Sequence, residues 1–137
     1  MNLTLNETPS PLDVSHSLYI LVVDDDQAMR NMLETVLLDE GYLVILARNG
    51  KEGLELVSKQ RPALVLLDLM MPVMDGWQFL EAIKQIPEFQ DLPVLLLSAS
   101  RQLASTAKEN AVKAFLPKPF ELVKLLAYID QYKQDYN

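Results

Sequence analysis

The sequence predicts a doubly wound α/β domain, in which a five-stranded parallel sheet carries helices on both faces. Two observations indicate this fold class. From Leu18 onwards, short apolar runs alternate with amphipathic segments through five cycles, a pattern typical of βαβ units. The apolar runs show no alternation with polar residues, which is expected of strands that are covered on both faces.

Five apolar runs of strand length are predicted to form the sheet. They are Leu18 to Val23, Leu43 to Ala47, Ala63 to Leu67, Val94 to Leu97, and Ala114 to Leu116. Because crossover connections make neighbouring strands parallel, the carboxyl ends of these runs are expected to gather at one edge of the sheet.

Helices are predicted between and after the strands. Helical spacing of apolar residues indicates a first helix that ends at Gly41, whose missing Cβ suits a left-handed cap. A second is predicted from Lys51 to Lys59, and a third from Gly76 to Gln85 with Asp75 as its N-cap. Two more complete the pattern: a fourth near Gln102 to Glu109 with a small apolar side, and a fifth with Leu122, Leu125, Leu126 and Ile129 on one stripe.

Length and composition indicate one domain behind a short tail. The chain has 137 residues, half of them apolar, and no cysteine, which excludes disulfides, thiolate metal sites and cysteine nucleophiles. Residues 1–17 lack periodicity and are predicted to be a flexible tail, so residues 18–137 form the predicted domain. The tail carries His16, the one histidine of the chain, which is interpreted as a solvated bystander.

Charge and hydropathy limit the kinds of partner that are expected for this chain. The net charge is −7, and −5 remains without residues 1–17, so direct nucleic-acid binding is disfavoured. No apolar run approaches the roughly 20 residues that span a bilayer, and no secretory signal is recognisable. The expected localisation is cytoplasmic, with no membrane association.

Polar residues stand where the predicted strands end. Asp24 and Asp25 follow the first strand, and Asp68, Ser98 and Lys118 follow the third, fourth and fifth. Carboxylates that converge at one edge repel one another, and a hard cation such as Mg²⁺, which prefers oxygen ligands, would relieve the repulsion. One carboxylate could then attack a phosphorus atom, while Lys118 and the Ser98 hydroxyl contact phosphoryl oxygens. The sequence therefore predicts a magnesium-dependent phosphoryl-accepting site.

Simpler interpretations exist for individual residues. Asp26 is predicted to cap the first helix rather than to bind metal, since acidic groups are favoured at a helix N-terminus. Asp68 alone could be a turn residue, and Lys118 alone could be an ordinary surface lysine. Phe115 is compatible with plain core packing.

Four stretches resemble the receiver domains of two-component response regulators, in the CheY-like superfamily. They are ILVVDDD at 20–26, LVLLDLMMPVMDGWQFL at 64–80, VLLLSAS at 94–100 and FLPKPF at 115–120. The resemblance implies the sheet order 2-1-3-4-5, a cis Lys118–Pro119 bond and Asp68 as the phosphoacceptor. It also implies Mg²⁺ held by Asp24, Asp25, Asp68 and the backbone carbonyl of Met70.

The resemblance assigns further roles around the acceptor. Ser98 would be the switch hydroxyl, Lys118 the phosphoryl contact and Phe115 the aromatic switch position. Met70 and Ser100 would flank the phosphoryl group and tune its lifetime. Two departures from the family pattern are Asn110, where a glycine is usual, and Pro117 beside the lysine.

The expected function is that of a stand-alone receiver, a signalling phosphoacceptor rather than an enzyme, which catalyses only its own phosphorylation and dephosphorylation. The donor would be a histidine kinase or a histidine phosphotransfer protein. The output would be protein binding, as a phosphorelay intermediate or a CheY-like effector, with possible dimerisation through the fourth helix, fifth strand and fifth helix. A flavodoxin-like carrier and a haloacid-dehalogenase-type phosphatase fit poorly, because acidic residues follow the first strand and Met70 stands where the phosphatase needs a second aspartate. A structural pseudo-receiver is the remaining alternative.

Overall fold

Five parallel strands form one sheet in the order β2-β1-β3-β4-β5, as predicted. The structure is a computed structural model that describes residues 19–99 and 112–133. The strands are β1 (Tyr19–Val23), β2 (Leu43–Ala47), β3 (Leu64–Asp68), β4 (Val94–Ser98) and β5 (Ala114–Pro117). Each predicted strand is present within one residue at either end, because the apolar runs that fill a two-sided core also set the strand lengths.

The strand register aligns the carboxyl ends. Val23 pairs with Ala47 of β2 and with Leu67 of β3, while Asp68 pairs with Leu97. Ser98 is the last residue of β4 and pairs with Pro117. The residues that follow these pairs therefore lie side by side along one edge of the sheet.

Four helices connect and cover the strands in the part of the chain that the structure describes. They are α1 (Gln27–Asp39), α2 (Gly50–Lys59), α3 (Gly76–Lys84) and α4 (Leu122–Tyr132), and a short 3₁₀ turn (Pro87–Phe89) lies between α3 and β4. The helix called fifth from the sequence is thus α4 here. The predicted fourth helix, near Gln102 to Glu109, lies outside the described residues.

Local sequence signals fix where these helices begin and end. The Asp26 carboxylate accepts hydrogen bonds from the Ala28 and Met29 backbone amides at the start of α1, which confirms its predicted role as a cap. Asp75 and Gln78 form a reciprocal capping box at the start of α3. Gly41 ends α1 with a φ of 91°, the left-handed conformation that glycine adopts without strain.

The core has two halves, one on each face of the sheet. Alternate residues of the central strands point to opposite sides, so that Leu21 and Val23 pack in one half and Ile20 and Val22 in the other. Helices α2 and α3 cover the first half, and α1 and α4 cover the second. The described residues are therefore doubly wound, as the unbroken apolar runs indicate.

Some predictions concern other parts of the chain. The flexible tail at 1–17, Leu18, Ser100 and Asn110 all lie outside the described residues. Among residues 19–99 and 112–133, none of the helices combines the length and apolar character needed to cross a bilayer.

Candidate phosphoacceptor and metal site

Three aspartates meet at the carboxyl edge of the sheet. Oxygens of Asp24, Asp25 and Asp68, one from each carboxylate, lie within 4.8 Å of one another. Asp24 is completely buried and Asp68 is 5% exposed, whereas Asp25 is exposed. The cluster therefore reaches from the core to the surface, with Asp25 at its open side.

Lys118 joins the cluster from the position directly after β5, almost a hundred residues away from Asp24 in the sequence. Its Nζ donates to Asp24 Oδ2 at 2.8 Å and lies 3.6 Å from Asp68 Oδ1. The Lys118 backbone amide also donates to the Ser98 carbonyl at 2.8 Å, and the Lys118–Pro119 peptide is cis. One ammonium group thus contacts two of the three carboxylates, which leaves the cluster with a net negative charge.

Asp24 is held on three sides. Besides the contact from Lys118, its Oδ1 accepts from the Asp26 backbone amide at 2.9 Å. Its backbone carbonyl accepts from Arg30 Nη1 at 2.9 Å. The sequence analysis missed Arg30; its signal is a basic residue in the second turn of a helix that starts beside an acidic strand end.

The surroundings of Asp68 raise its pKa to about 6, from an ordinary value of 3.8. Burial is the largest cause, and the negative charge of Asp24 adds to it, while the charge of Lys118 acts in the opposite direction. A charged Asp68 is therefore costly in the protein alone. The arrangement fits a divalent cation, because the three carboxylates supply the hard oxygen ligands that such ions prefer. The single positive charge of Lys118 does not balance the negative charge of all three.

The loop that follows Asp68 closes tightly on itself. The Met70 backbone amide donates to Asp68 Oδ1 at 3.3 Å, and the Gly76 amide donates to the Leu69 carbonyl at 3.0 Å. A Cβ at Gly76 would lie 2.7 Å from the Asp68 carbonyl oxygen, so this position admits only glycine without movement of the strand end. The Met70 side chain is 61% exposed.

The remaining predicted residues lie on the two strands beyond Asp68. Ser98 is completely buried, one residue past the register partner of Asp68. Phe115 pairs with Leu96 and is partly buried against the half of the core that α2 and α3 cover. Asp24, Asp68 and Ser98 are the buried polar side chains among the described residues, so the otherwise apolar core is interrupted at this edge.

The fold and this edge define a class of protein. A doubly wound α/β domain with a metal-type carboxylate cluster and a lysine beside a buried aspartate is equipped for phosphoryl chemistry on a carboxylate.

Comparison with known proteins identifies the family. The family described as "Response regulator receiver domain" matches residues 20–130. The chain therefore belongs to the response regulator receiver domain family of two-component signalling.

Relatives of the chain differ in length. Response regulator MprA of Mycolicibacterium vanbaalenii is 41% identical over 110 residues, which cover 79% of this chain and 47% of the relative. The chain thus spans about half the length of this relative. An uncharacterised 14.6 kDa protein of Leptolyngbya boryana is 35% identical over 115 residues, which cover 82% of this chain and 88% of that protein.

Solved structures have the same fold. The Vibrio cholerae chemotaxis protein CheY4 superposes with a TM-score of 0.78 at 30% identity, over 85% of this chain and 98% of that one. Response regulator TrrA from Thermotoga maritima, solved in complex with Mg²⁺-BeF, has a TM-score of 0.77 at 30% identity, over 84% and 98% of the two chains.

Proposed function

We propose that Asp68 accepts a phosphoryl group in a Mg²⁺-dependent reaction, and that the chain signals through the change in shape that follows. The observation that carries the proposal is the convergence of Asp24, Asp25 and Asp68 within 4.8 Å, with Lys118 Nζ 3.6 Å from Asp68. These groups come from three strand ends that are distant in sequence.

The residues that would hold Mg²⁺ are Asp25, Asp68 and the backbone carbonyl of Met70, with Asp24 beside them. Both Asp24 oxygens already accept hydrogen bonds, from Lys118 and from the Asp26 amide, so Asp25 and Asp68 are better placed to contact the ion directly. When bound, Mg²⁺ would supply charge that offsets the negative oxygens of an incoming phosphoryl group.

The transfer itself is a displacement at phosphorus. An oxygen of the Asp68 carboxylate forms a bond to phosphorus while the bond from phosphorus to the donor nitrogen breaks, and that electron pair returns to the imidazole of the donor. Lys118 neutralises a phosphoryl oxygen from its position beside Asp68. A histidine kinase or a histidine phosphotransfer protein is the donor that this chemistry implies.

The phosphoryl group is lost by hydrolysis. The oxygen of a water molecule forms a bond to phosphorus while the bond from phosphorus to the Asp68 oxygen breaks. That electron pair returns to the Asp68 carboxylate, and the protons of the water leave with inorganic phosphate or pass to solvent. This self-catalysed phosphorylation and dephosphorylation, without turnover of a separate substrate, makes the chain a signalling phosphoacceptor.

The signal would be read by another protein. Ser98, on the strand next to Asp68, would hydrogen-bond a phosphoryl oxygen, and Phe115 on β5 would respond to that movement. We propose that this receiver acts in the cytoplasm, as a phosphorelay intermediate or a CheY-like effector. Dimerisation through β5, α4 and the predicted helix at 102–109 is part of this proposal, as is the absence of direct nucleic-acid binding.

The test is intact-mass measurement after incubation with acetyl phosphate and Mg²⁺. We expect the wild type to gain the mass of one phosphoryl group and Asp68→Asn to gain none, whereas Glu55→Gln, a change at an exposed carboxylate on α2, should label like the wild type. Labelling of neither wild type nor variant under excess Mg²⁺ would favour a structural pseudo-receiver instead.

The lifetime of the phosphoryl group should depend on the residue at position 70. Met70 follows Asp68 by two residues, and its apolar side chain would shield the acyl phosphate from water; Ser100 would flank the other side. Met70→Asn is therefore expected to change the rate of dephosphorylation, measured as loss of the phosphorylated mass after acetyl phosphate is removed. Equal lifetimes in both proteins would contradict this role.

A further inference from the structure

The loop between β3 and α3 holds a valine in a backbone conformation that valine rarely adopts. Val73 has a φ of 70°, and the Met74 amide donates to the Pro72 carbonyl at 2.7 Å across it. These two features describe a γ-turn with positive central φ, which is uncommon and strained even for residues less restricted than valine. Burial of the side chain does not compensate for this strain, because the Val73 side chain is 79% exposed.

The surrounding structure prevents the loop from relaxing. Pro72 fixes the residue before the turn, and Asp75 after it is tied into the capping box of α3. Met74 lies against the start of α2, since a Cβ at Gly50 would be only 2.8 Å from Met74 Cγ. Residues that are held in a strained conformation by their neighbours in this way cluster at functional sites.

The turn stands close to the acidic cluster. Both ends of the loop meet at Leu69 and Gly76, through their 3.0 Å hydrogen bond, and Val73 is three residues from Gly76. With about 3.8 Å between successive Cα atoms, Val73 cannot lie more than about 11 Å from Gly76. Met70 in the same loop is also exposed, and its backbone amide donates to Asp68 Oδ1, so the loop that leaves Asp68 carries two exposed apolar side chains.

The small exposed fraction of Asp68 determines which kind of phosphodonor could contact Met70 and Val73. Asp68 is 5% exposed, so a phosphorylated imidazole carried by a protein must bring its own surroundings against the rim of the site. A small donor such as acetyl phosphate meets no such requirement. The pair Met70 and Val73 would offer that protein an apolar contact, and the exposed carboxylate of Asp26 at the start of α1 would offer an acidic one.

We propose that Val73 is a recognition residue for the protein phosphodonor, kept in a strained turn so that its side chain stands at the rim of the phosphoacceptor site. The inference rests on the proposed function. It commits to a phosphohistidine-carrying protein whose surface next to the histidine is apolar and flanked by basic side chains. Recognition would act on encounter and binding, and the chemical step at Asp68 would be unaffected.

The experiment compares two donors across three variants. Val73→Gly removes the side chain and the strain together, Val73→Ile keeps a branched apolar side chain, and Leu38→Asn changes an exposed apolar residue (51% exposed) near the opposite end of α1. Each is phosphorylated by acetyl phosphate and by a panel of purified histidine kinases and phosphotransfer proteins, with Mg²⁺ present.

We expect Val73→Gly to keep a melting temperature at or above that of the wild type and to label with acetyl phosphate within twofold. Its kcat/KM with the protein donor should fall at least tenfold, through KM, while Val73→Ile and Leu38→Asn stay near the wild type. Unchanged transfer from the protein donor would overturn the inference, as would an equal loss with both donors. Acceptance from acetyl phosphate but from no protein of the panel would also overturn it, whereas a wild type that accepts from neither donor refutes the proposed function itself.

Discussion

At the scale of single residues, the site depends on how much negative charge is held in a small space. Asp68 has a pKa of about 6 because it is buried and lies beside Asp24. The same burial that costs stability makes Asp68 a good place for an added cation or an added bond. A carboxylate that is poorly solvated gains more from a metal or a phosphoryl group than one that water already stabilises.

The first prediction concerns Asp68 and the pH dependence of stability. A folded-state pKa of about 6, above the ordinary 3.8, means that the folded protein binds the proton more tightly. The stabilisation by this proton is complete below pH 3.8 and is lost as the pH rises through about 6. Without divalent ions at pH 7.5, Asp68→Asn should therefore raise the free energy of unfolding by about 2 kcal/mol.

Urea unfolding in a chelator, at pH 7.5 and at pH 4.5, measures this difference. The advantage of Asp68→Asn should shrink at the lower pH, because the wild-type carboxyl is then protonated. Glu55→Gln is the control and should show no comparable change between the two conditions. The same stability difference at both pH values would contradict the assignment.

A second prediction concerns Arg30. Its guanidinium donates to the Asp24 carbonyl, at a residue whose side chain is completely buried. Arg30→Ala should lower the free energy of unfolding by about 1–2 kcal/mol, because it removes a charged donor from a poorly solvated acceptor. Arg48→Ala is the matched control, since the Arg48 ion pair with Glu52 is at the surface and should contribute little. Chemical denaturation of both variants checks the difference.

At the scale of elements, the connections after β1 and β3 arrange the site. Asp24 directly follows β1 and Asp68 is the last residue of β3. Each following helix begins with its own aspartate cap, Asp26 for α1 and Asp75 for α3. Separate residues therefore perform the capping and the site-forming roles. The β3–α3 loop is the more constrained of the two, because Gly76 packs directly on the Asp68 backbone.

The third prediction tests the capping box of α3. Asp75 accepts from the Gln78 amide at 2.9 Å, and the Gln78 side chain accepts from the Asp75 amide at 2.9 Å. Asp75→Ala should lower the free energy of unfolding by about 1 kcal/mol, while Asp75→Asn, which keeps a capping oxygen, should cost much less. Thermal and urea unfolding distinguish the two; equal losses would mean that charge matters at this position more than the cap does.

At the scale of the whole molecule, the sheet order brings distant segments together. The order β2-β1-β3-β4-β5 places β1 and β3 side by side, so that Asp24 and Asp68 meet although 43 residues lie between them in the sequence. A ligand at this edge contacts several strand ends at once. Its binding therefore stabilises the fold as a whole as well as one loop.

The fourth prediction follows from this linkage. Mg²⁺ should raise the melting temperature, and once the ion exceeds its dissociation constant each tenfold increase should add about 1.4 kcal/mol to the free energy of unfolding. The effect should weaken below pH about 6, where protons compete for Asp68. In Asp25→Asn, more Mg²⁺ should be needed for the same shift. A melting temperature indifferent to millimolar Mg²⁺ at pH 7.5 would contradict the metal site.

The sequence alone predicted the features of this protein that depend on local chemistry and on the spacing of apolar residues. The apolar runs specified five strands to within a residue, the caps at Asp26 and Asp75 followed from side chains that bond to nearby amides, and the φ of Gly41 followed from its missing Cβ. Family resemblance, carried by four motifs, supplied the strand order. The predicted residues at 1–17, 100 and 102–110 lie outside the described residues, and their predictions stand as made.

Only the tertiary structure decided what the site residues do to one another. The raised pKa of Asp68 needs the burial and the charges that neighbouring strands impose, and the contact of Arg30 with Asp24 depends on the angle at which α1 leaves the sheet. The strained turn at Val73 is invisible in a sequence, because valine has no preference for it and the packing around Pro72, Met74 and Gly76 imposes it. Local composition determines which elements form, whereas distances, desolvation and strain arise only when the elements are packed together.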